Sequence, residues 1–326
     1  MTLDEAKSFK YIEVTLHGQG HVHWTETRTT GTGDNRRTET ISYTSNETYV
    51  QQKAVLWNSE QTPHGKIGPG SYSFQFQFII PLQCPSSFRG SVGYIRYHLL
   101  GRIGTGLFHF DHRIEAPIQV SQLIDINQPQ FQVPVRQTQR KQVGCLCCAA
   151  GDIEYTVDLP RNGFCINGDH IPLSVVVDNG SSRQITLRAE ITRLVIYYAK
   201  GHRRYDRNVI QLVESEPILP RTTHTWTTTN FVVPGVEPSI STSNIIFLEY
   251  AVKVSAVIPY SINPSVTIPV ILGNVPFQGS VEGPVAAPAI DFSGYPPPDL
   301  VFPPEPQGAS APYPPPYSDS PSAPLL

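Results

Sequence analysis

The sequence predicts an all-β chain: two tandem β-sandwiches of similar length, followed by a Pro-rich C-terminal tail. Three observations predict it. The chain is rich in Thr, Val, Ile, Tyr and Phe and holds 1 Met, whereas long helices favour Ala, Leu, Glu, Lys and Met. Apolar and polar residues alternate along segment after segment, the period-two signature of half-buried strands, and no segment keeps a 3.6-residue period over three turns. After Pro276 the alternation stops and Pro, Ala, Gly and Ser take over, a composition that buries too little to offset chain entropy.

The elements follow in order. Ile12, Val14 and Leu16 alternate with polar neighbours. Tyr72, Phe74, Phe76 and Phe78 alternate with Ser71, Ser73, Gln75 and Gln77, and Gly68-Pro69-Gly70 is the turn that opens this aromatic strand. Residues 94–100 read as another strand. Residues 125–141 lose the pattern; Pro129, Pro134 and a run of Gln and Arg predict a linker. Strand patterning returns near Ile153. Val175 and Val177 lead into Asp178-Asn179-Gly180 and then Ile185, Leu187, Ala189 and Ile191, which predicts strand, tight Asn-Gly turn, strand. Ile246, Leu248, Tyr250, Val252, Val254, Ala256 and Ile258 line one face of a long strand, with Glu249, Lys253 and Ser255 on the other. Many short strands with Gly/Pro turns argue for sandwiches. The division is a first domain over residues 1–122, a linker with a Cys cluster over 123–150, a second domain over 151–277 and the tail over 278–326.

At 326 residues the chain has room for two domains and a tail. Charged residues are 16% and the net charge is −3, so nucleic acid is not an expected partner. No signal peptide and no apolar run of bilayer length are visible, and 3 of the 5 cysteines crowd into Cys145, Cys147 and Cys148. Neighbouring cysteines do not pair easily, which suits an intracellular chain with reduced thiols. The sequons at Asn46 and Asn179 are then chance matches.

The order of several short pieces resembles the α-arrestins, the arrestin domain-containing proteins. In the first domain these are Val22-His23-Trp24-Thr25-Glu26, Gly70-Ser71-Tyr72-Ser73-Phe74-Gln75-Phe76, and Pro85-Ser86-Ser87-Phe88-Arg89-Gly90 running on to Ile95-Arg96-Tyr97. In the second they are Gly163-Phe164-Cys165-Ile166-Asn167-Gly168, Tyr197-Tyr198-Ala199-Lys200-Gly201 and Ile268-Pro269-Val270-Ile271-Leu272-Gly273-Asn274-Val275-Pro276. The resemblance implies two arrestin-like (immunoglobulin-like) sandwiches. It implies an adaptor that holds membrane receptor or transporter cargo, recruits ubiquitin ligases and directs the cargo into endocytosis. Such a protein is cytoplasmic, associates peripherally with membranes, and is recruited to the plasma membrane and endosomes. Family members carry a few more strands ahead of the segment that begins here, roughly 30–40 residues, so the first domain is expected to be truncated, with an exposed sheet edge.

The tail carries two short docking motifs. Pro314-Pro315-Pro316-Tyr317 is a PPxY sequence. Its prolines preset a polyproline II helix, so little entropy remains to be lost when it docks on the aromatic groove of a WW domain. Pro314 and Pro315 would fill the groove and Tyr317 the adjacent pocket, recruiting a HECT-type ubiquitin ligase. Pro321-Ser322-Ala323-Pro324 is a PSAP sequence, read as a site for the ubiquitin-variant domain of ESCRT-I. Ser318 and Ser320 lie between them as candidate phosphorylation sites that would set charge beside both.

The remaining candidates are weaker. Cys145, Cys147 and Cys148 follow Arg136, Arg140 and Lys141, an arrangement suited to S-acylation near an anionic membrane; the plainer reading is a buried start to the second domain. Lys200, Arg203, Arg204 and Arg207, with His202, form a basic loop for lipid headgroups or phosphate, or simply a solvated hairpin tip. His21 and His23 face one way on a strand, but no third metal ligand is evident. No phosphate-cradling Gly loop, nucleophile elbow or HExxH is present, and nothing asks for a cofactor or an enzyme. Competing readings are a vesicle-budding factor acting through PSAP and a thiol-regulated protein, since the resembled family includes a thioredoxin-binding member.

Overall fold

The structure, a computed structural model, describes residues 1–31, 36–62, 65–105, 111–145 and 148–278, with the backbone alone at 144, 145 and 148–150. The strands of the first half are β1 (Thr2–Leu3), β2 (Lys7–Ser8), β3 (Tyr11–Thr30), β4 (Arg37–Asn58), β5 (Lys66–Ile67), β6 (Gly70–Ser71), β7 (Phe88–Arg89), β8 (Gly93–Gly104) and β9 (His112–Ile118). They form one large antiparallel sheet in the order β4-β3-β8-β7, with β9 also on β8, and two small pairs, β1 with β6 and β2 with β5. Alternation builds the sheet. Val14, Leu16, Val22 and Trp24 on β3 are at most 5% exposed, while Thr15, His17, Gln19 and His21 between them face outward. Gly18 sits on the inner face because a Cβ there would lie 2.4 Å from the Tyr97 ring.

The second half contains β10 (Val135–Cys145), β11 (Cys148–Leu159), β12 (Gly163–Cys165), β13 (Ser174–Asn179), β14 (Thr186–Ala199), β15 (His202–Glu214), β16 (Thr222–Thr227), β17 (Ile246–Val257) and β18 (Ser265–Gly273). Two sheets pack face to face, β10-β11-β13-β16 and β12-β18-β17-β14-β15. Tyr155 spans the layers: its ring is buried and its hydroxyl donates to Pro264 O at 2.9 Å, which satisfies the polar end of a core aromatic. The expected face of β17 is confirmed from Ile246 to Ile258, each residue at most 3% exposed. Burying an aliphatic side chain contributes roughly 1.5–3 kcal/mol. A one-residue slip would turn that whole face to solvent, so the register of β17 is strongly specified. One apolar cluster runs through both halves, joining Val22, Trp24 and Ile95 to Ile245, Ile246 and Tyr197.

Three expectations are corrected. Residues 72–80 are not a paired strand. Tyr72, Phe74 and Phe78 are half-buried as expected but Phe76 is 45% exposed, and the ladder with β1 ends where Met1 and Tyr72 exchange backbone bonds, with no described segment continuing it. Ile79 instead bonds both its backbone groups to the Gln52 side chain. Second, Asn179-Gly180 does not close a hairpin. β13 and β14 belong to different sheets, and the segment carries the chain between them. Asn179 is fully buried; its amide donates to Arg183 O and Leu219 O, and its oxygen accepts the Ser181 hydroxyl. Third, the linker assigned over 123–150 contains β10, paired with β11 along its length. It is an edge strand covered mainly by polar side chains, so hydrophobic alternation could not reveal it.

Candidate functional site

Glu47, Tyr49, Ser243 and Asn244 meet where the two halves touch. Glu47 lies on the inner face of β4, opposite Gly20. Its carboxylate accepts the Ser243 hydroxyl at 3.1 Å and the Asn244 N–H at 2.9 Å, and bonds the Asn244 amide as well. Ser243 Oγ also bonds the Tyr49 hydroxyl at 2.8 Å and accepts the N–H groups of Ile245 and Ile246. Burial pushes the Tyr49 phenol far above its ordinary range, so this hydroxyl stays protonated. Along the same seam the Ser91 N–H donates to the Tyr197 hydroxyl at 3.1 Å. Close approach is required there: a Cβ on Gly90 would fall 1.9 Å from that hydroxyl. Glu47, Tyr49 and Ser243 could not be singled out beforehand, because isolated Glu, Ser and Tyr carry no pattern, and Gly90 and Tyr197 stood out only within the arrestin-like pieces.

The start of the tail is tied to the segment between the halves. Asn127 donates to Pro276 O at 2.9 Å and accepts the Gln278 N–H at 2.7 Å. The Arg161 guanidinium lies 4.0 Å from the Phe277 ring centroid and bonds both oxygens of Asp169 at 2.9 Å. The predicted docking residues Pro314, Pro315, Pro316, Tyr317, Pro321, Ser322, Ala323 and Pro324, and Ser318 and Ser320 between them, lie outside the described residues.

Cys147 and the side chains of Cys145 and Cys148 also lie outside the described residues; the backbones of Cys145 and Cys148 face each other at the β10–β11 turn. Of the basic residues before them, the two arginines are engaged across that hairpin, and Lys141 bonds Ile262 O instead. Arg136 pairs with Asp158 at 3.1 Å and Arg140 with Asp152 and Glu154.

The second basic group is confirmed as a hairpin tip but corrected as one surface. Lys200 and Gly201 both take positive φ, 51° and 78°, as a two-residue β-hairpin turn requires. Strand alternation then sends Arg203 and Arg207 to one face of β15 and Arg204 to the other. Lys200 donates to Ser42 O at 3.0 Å across the seam, and Arg203 stacks on Tyr198.

His21 and His23 do share the outer face of β3, their ring centroids 6.5 Å apart. Their Nδ1 atoms bond Asn46 Oδ1 at 2.7 Å and Thr44 Oγ1 at 2.9 Å. Among the described residues no group of three or more His, Cys, Asp or Glu side chains is placed to hold a metal, and no helix is long and apolar enough to cross a membrane.

Comparison with known proteins matches this arrangement half by half. Residues 1–127 match the family described as arrestin (or S-antigen), N-terminal domain, and residues 149–277 match arrestin (or S-antigen), C-terminal domain. The human arrestin domain-containing protein 4 (Homo sapiens) is 30% identical over 235 residues, covering 71% of this chain and 56% of that protein. The mouse form (Mus musculus) is 30% identical over 214 residues, 65% of this chain and 51% of that protein. Mouse thioredoxin-interacting protein is 27% identical over 241 residues, 69% of this chain and 58% of that protein. The chain thus spans little more than half the length of the relatives it matches.

Proposed function

The chain belongs to the arrestin family, in its α-arrestin branch, and from that premise we propose that it links membrane-protein cargo to a WW-domain HECT-type ubiquitin ligase. The folded halves hold receptor or transporter cargo. Pro314, Pro315 and Tyr317 recruit the ligase, whose ubiquitination of the cargo sends it to endocytosis and endosomal sorting. The observation that carries this reading is the presence in one chain of both arrestin-domain matches and a Pro314-Pro315-Pro316-Tyr317 tail motif. The protein acts at the plasma membrane and endosomes as a peripheral adaptor, and its role is to position partners rather than to catalyse.

The test is a pull-down with the full chain and its Tyr317→Ala form. Loss of WW-containing ligases with Tyr317→Ala is expected; equal capture by both forms would overturn the proposal. A second reading rests on Pro321-Ser322-Ala323-Pro324, which suits recruitment of ESCRT-I in vesicle budding. Pro321→Ala with Pro324→Ala should then abolish vesicle release while ligase capture persists. The likeness to thioredoxin-interacting protein suggests a thiol-exchange role as well. Both cysteines described at side-chain level, Cys84 and Cys165, have thiols pushed up by burial, which disfavours the thiolate that exchange needs.

A further inference from the structure

Residues 73–78 run without a turn or bend, and their backbone N–H and C=O groups bond no described residue. The stretch is held at both ends. Tyr72 exchanges backbone bonds with Met1, and Ile79 bonds both its backbone groups to the Gln52 side chain. Along an extended chain the N–H and C=O of one residue point to the same edge, and successive residues alternate between edges. Tyr72, Phe74, Phe76 and Phe78 therefore aim at the edge where β1 stops, and Ile79 at the opposite one.

Nothing on this stretch guards the open edge. Folded chains blunt such edges with charge, with proline or with a covering segment. Here residues 67–88 carry no charged side chain and residues 70–80 no proline. Phe76, Ile79 and Leu82 add apolar surface, at 45%, 73% and 88% exposed. The order of the residues points to what fits. Phe74-Gln75-Phe76-Gln77-Phe78 reads the same in both directions. A two-fold axis through Phe76 would set Phe74 against Phe78 of a second copy, Gln75 against Gln77, and Phe76 against Phe76. Residues 74, 76 and 78 are the ones whose backbone groups aim at the open edge, so these pairs would each exchange both hydrogen bonds. Tyr72 is already held by Met1, which ends the ladder beyond Phe74. The Phe76 ring leans on Phe78 with centroids 5.6 Å apart, and its open side would meet its counterpart across the axis.

We propose that this chain forms a two-fold homodimer by antiparallel pairing of residues 74–78, one sheet running through the interface. The proposal is independent of the ligase reading, since it involves no tail residue. The full chain is followed by sedimentation equilibrium over a range of concentrations. A monomer–dimer equilibrium is expected, and hydrogen–deuterium exchange in the 72–80 peptide should slow as the dimer fills. Gln75→Lys with Gln77→Lys sets like charges opposite one another and should raise the dimer dissociation constant about tenfold or more. Gln75→Glu with Gln77→Glu should do the same. Both glutamines are exposed, and mixing the two variants should restore a heterodimer, which also verifies that each is folded. A monomer at every concentration overturns the proposal; protection of the 72–80 peptide in that monomer would assign the edge to another part of the same chain. A dimer indifferent to both double substitutions, or a mass that grows beyond two copies, overturns it as well.

Discussion

Glu47 of the first domain accepts the Ser243 hydroxyl of the second at 3.1 Å, closing a polar lock over a core that is otherwise apolar and continuous between the domains. Replacing Glu47 with Ala leaves Ser243 Oγ and the Asn244 N–H without this acceptor. The expected cost is about 1–3 kcal/mol, read as an earlier urea midpoint and faster proteolysis near residues 241–245. A double-mutant cycle with Ser243→Ala should recover a coupling energy between the two positions; additive effects would show that the lock is not cooperative.

Asn179 is the most heavily used buried amide on the crossover between the sheets of the second domain. Asn179→Asp turns an N–H donor facing the carbonyls of Arg183 and Leu219 into a second oxygen. Several lost bonds and a buried repulsion should destabilise the chain by more than about 3 kcal/mol. Thermal denaturation checks it, with Asn179→Ala expected to cost less. The same burial means that the sequon at Asn179 cannot carry a glycan on the folded chain.

The thiols of Cys84 and Cys165 should react slowly. Cys84 is 3% exposed and donates to Tyr49 O, and burial is the leading cause that raises both thiols. At pH 7.5, alkylation by iodoacetamide at both positions should run about tenfold or more below an unfolded control. Mass-spectrometric labelling at peptide-like rates would restore a thiol-exchange role.

The two tail motifs should exclude each other. Pro315 and Ser322 are seven residues apart, at most about 22 Å even when extended as polyproline II, whereas a WW domain and a ubiquitin-variant domain have combined radii of about 30 Å. Native mass measurement on a peptide of residues 310–326 with both domains should find only binary complexes. A stable ternary mass would mean that both partners can be held together.

Much of the fold was legible because its strands are half-buried. Alternation found β3 from Ile12 onward, β8 from Tyr94 and the full core face of β17. It also marked Tyr72, Phe74 and Phe78 as half-buried correctly and Phe76, which is 45% exposed, wrongly, and it could not say whether a neighbouring strand would supply the rungs, since pairing is a property of what lies alongside. Edge strand β10 escaped notice because its cover is polar. Asn179-Gly180 misled because Asn serves a tight turn and a buried hydrogen-bonding hub equally well. His21 and His23 were visible as a pair sharing one face. The seam was invisible, since Glu47 and Ser243 are brought together only by the packing of the two domains.

The clamp of Asn127 on Pro276 and Gln278 has a mechanical consequence. A load pulling on the chain beyond residue 278 first meets these two hydrogen bonds and the Arg161–Phe277 stack, so force enters the body at the joint between its domains. The root of the tail is therefore a strain relief: it must peel away before tension can reach β18 and the core.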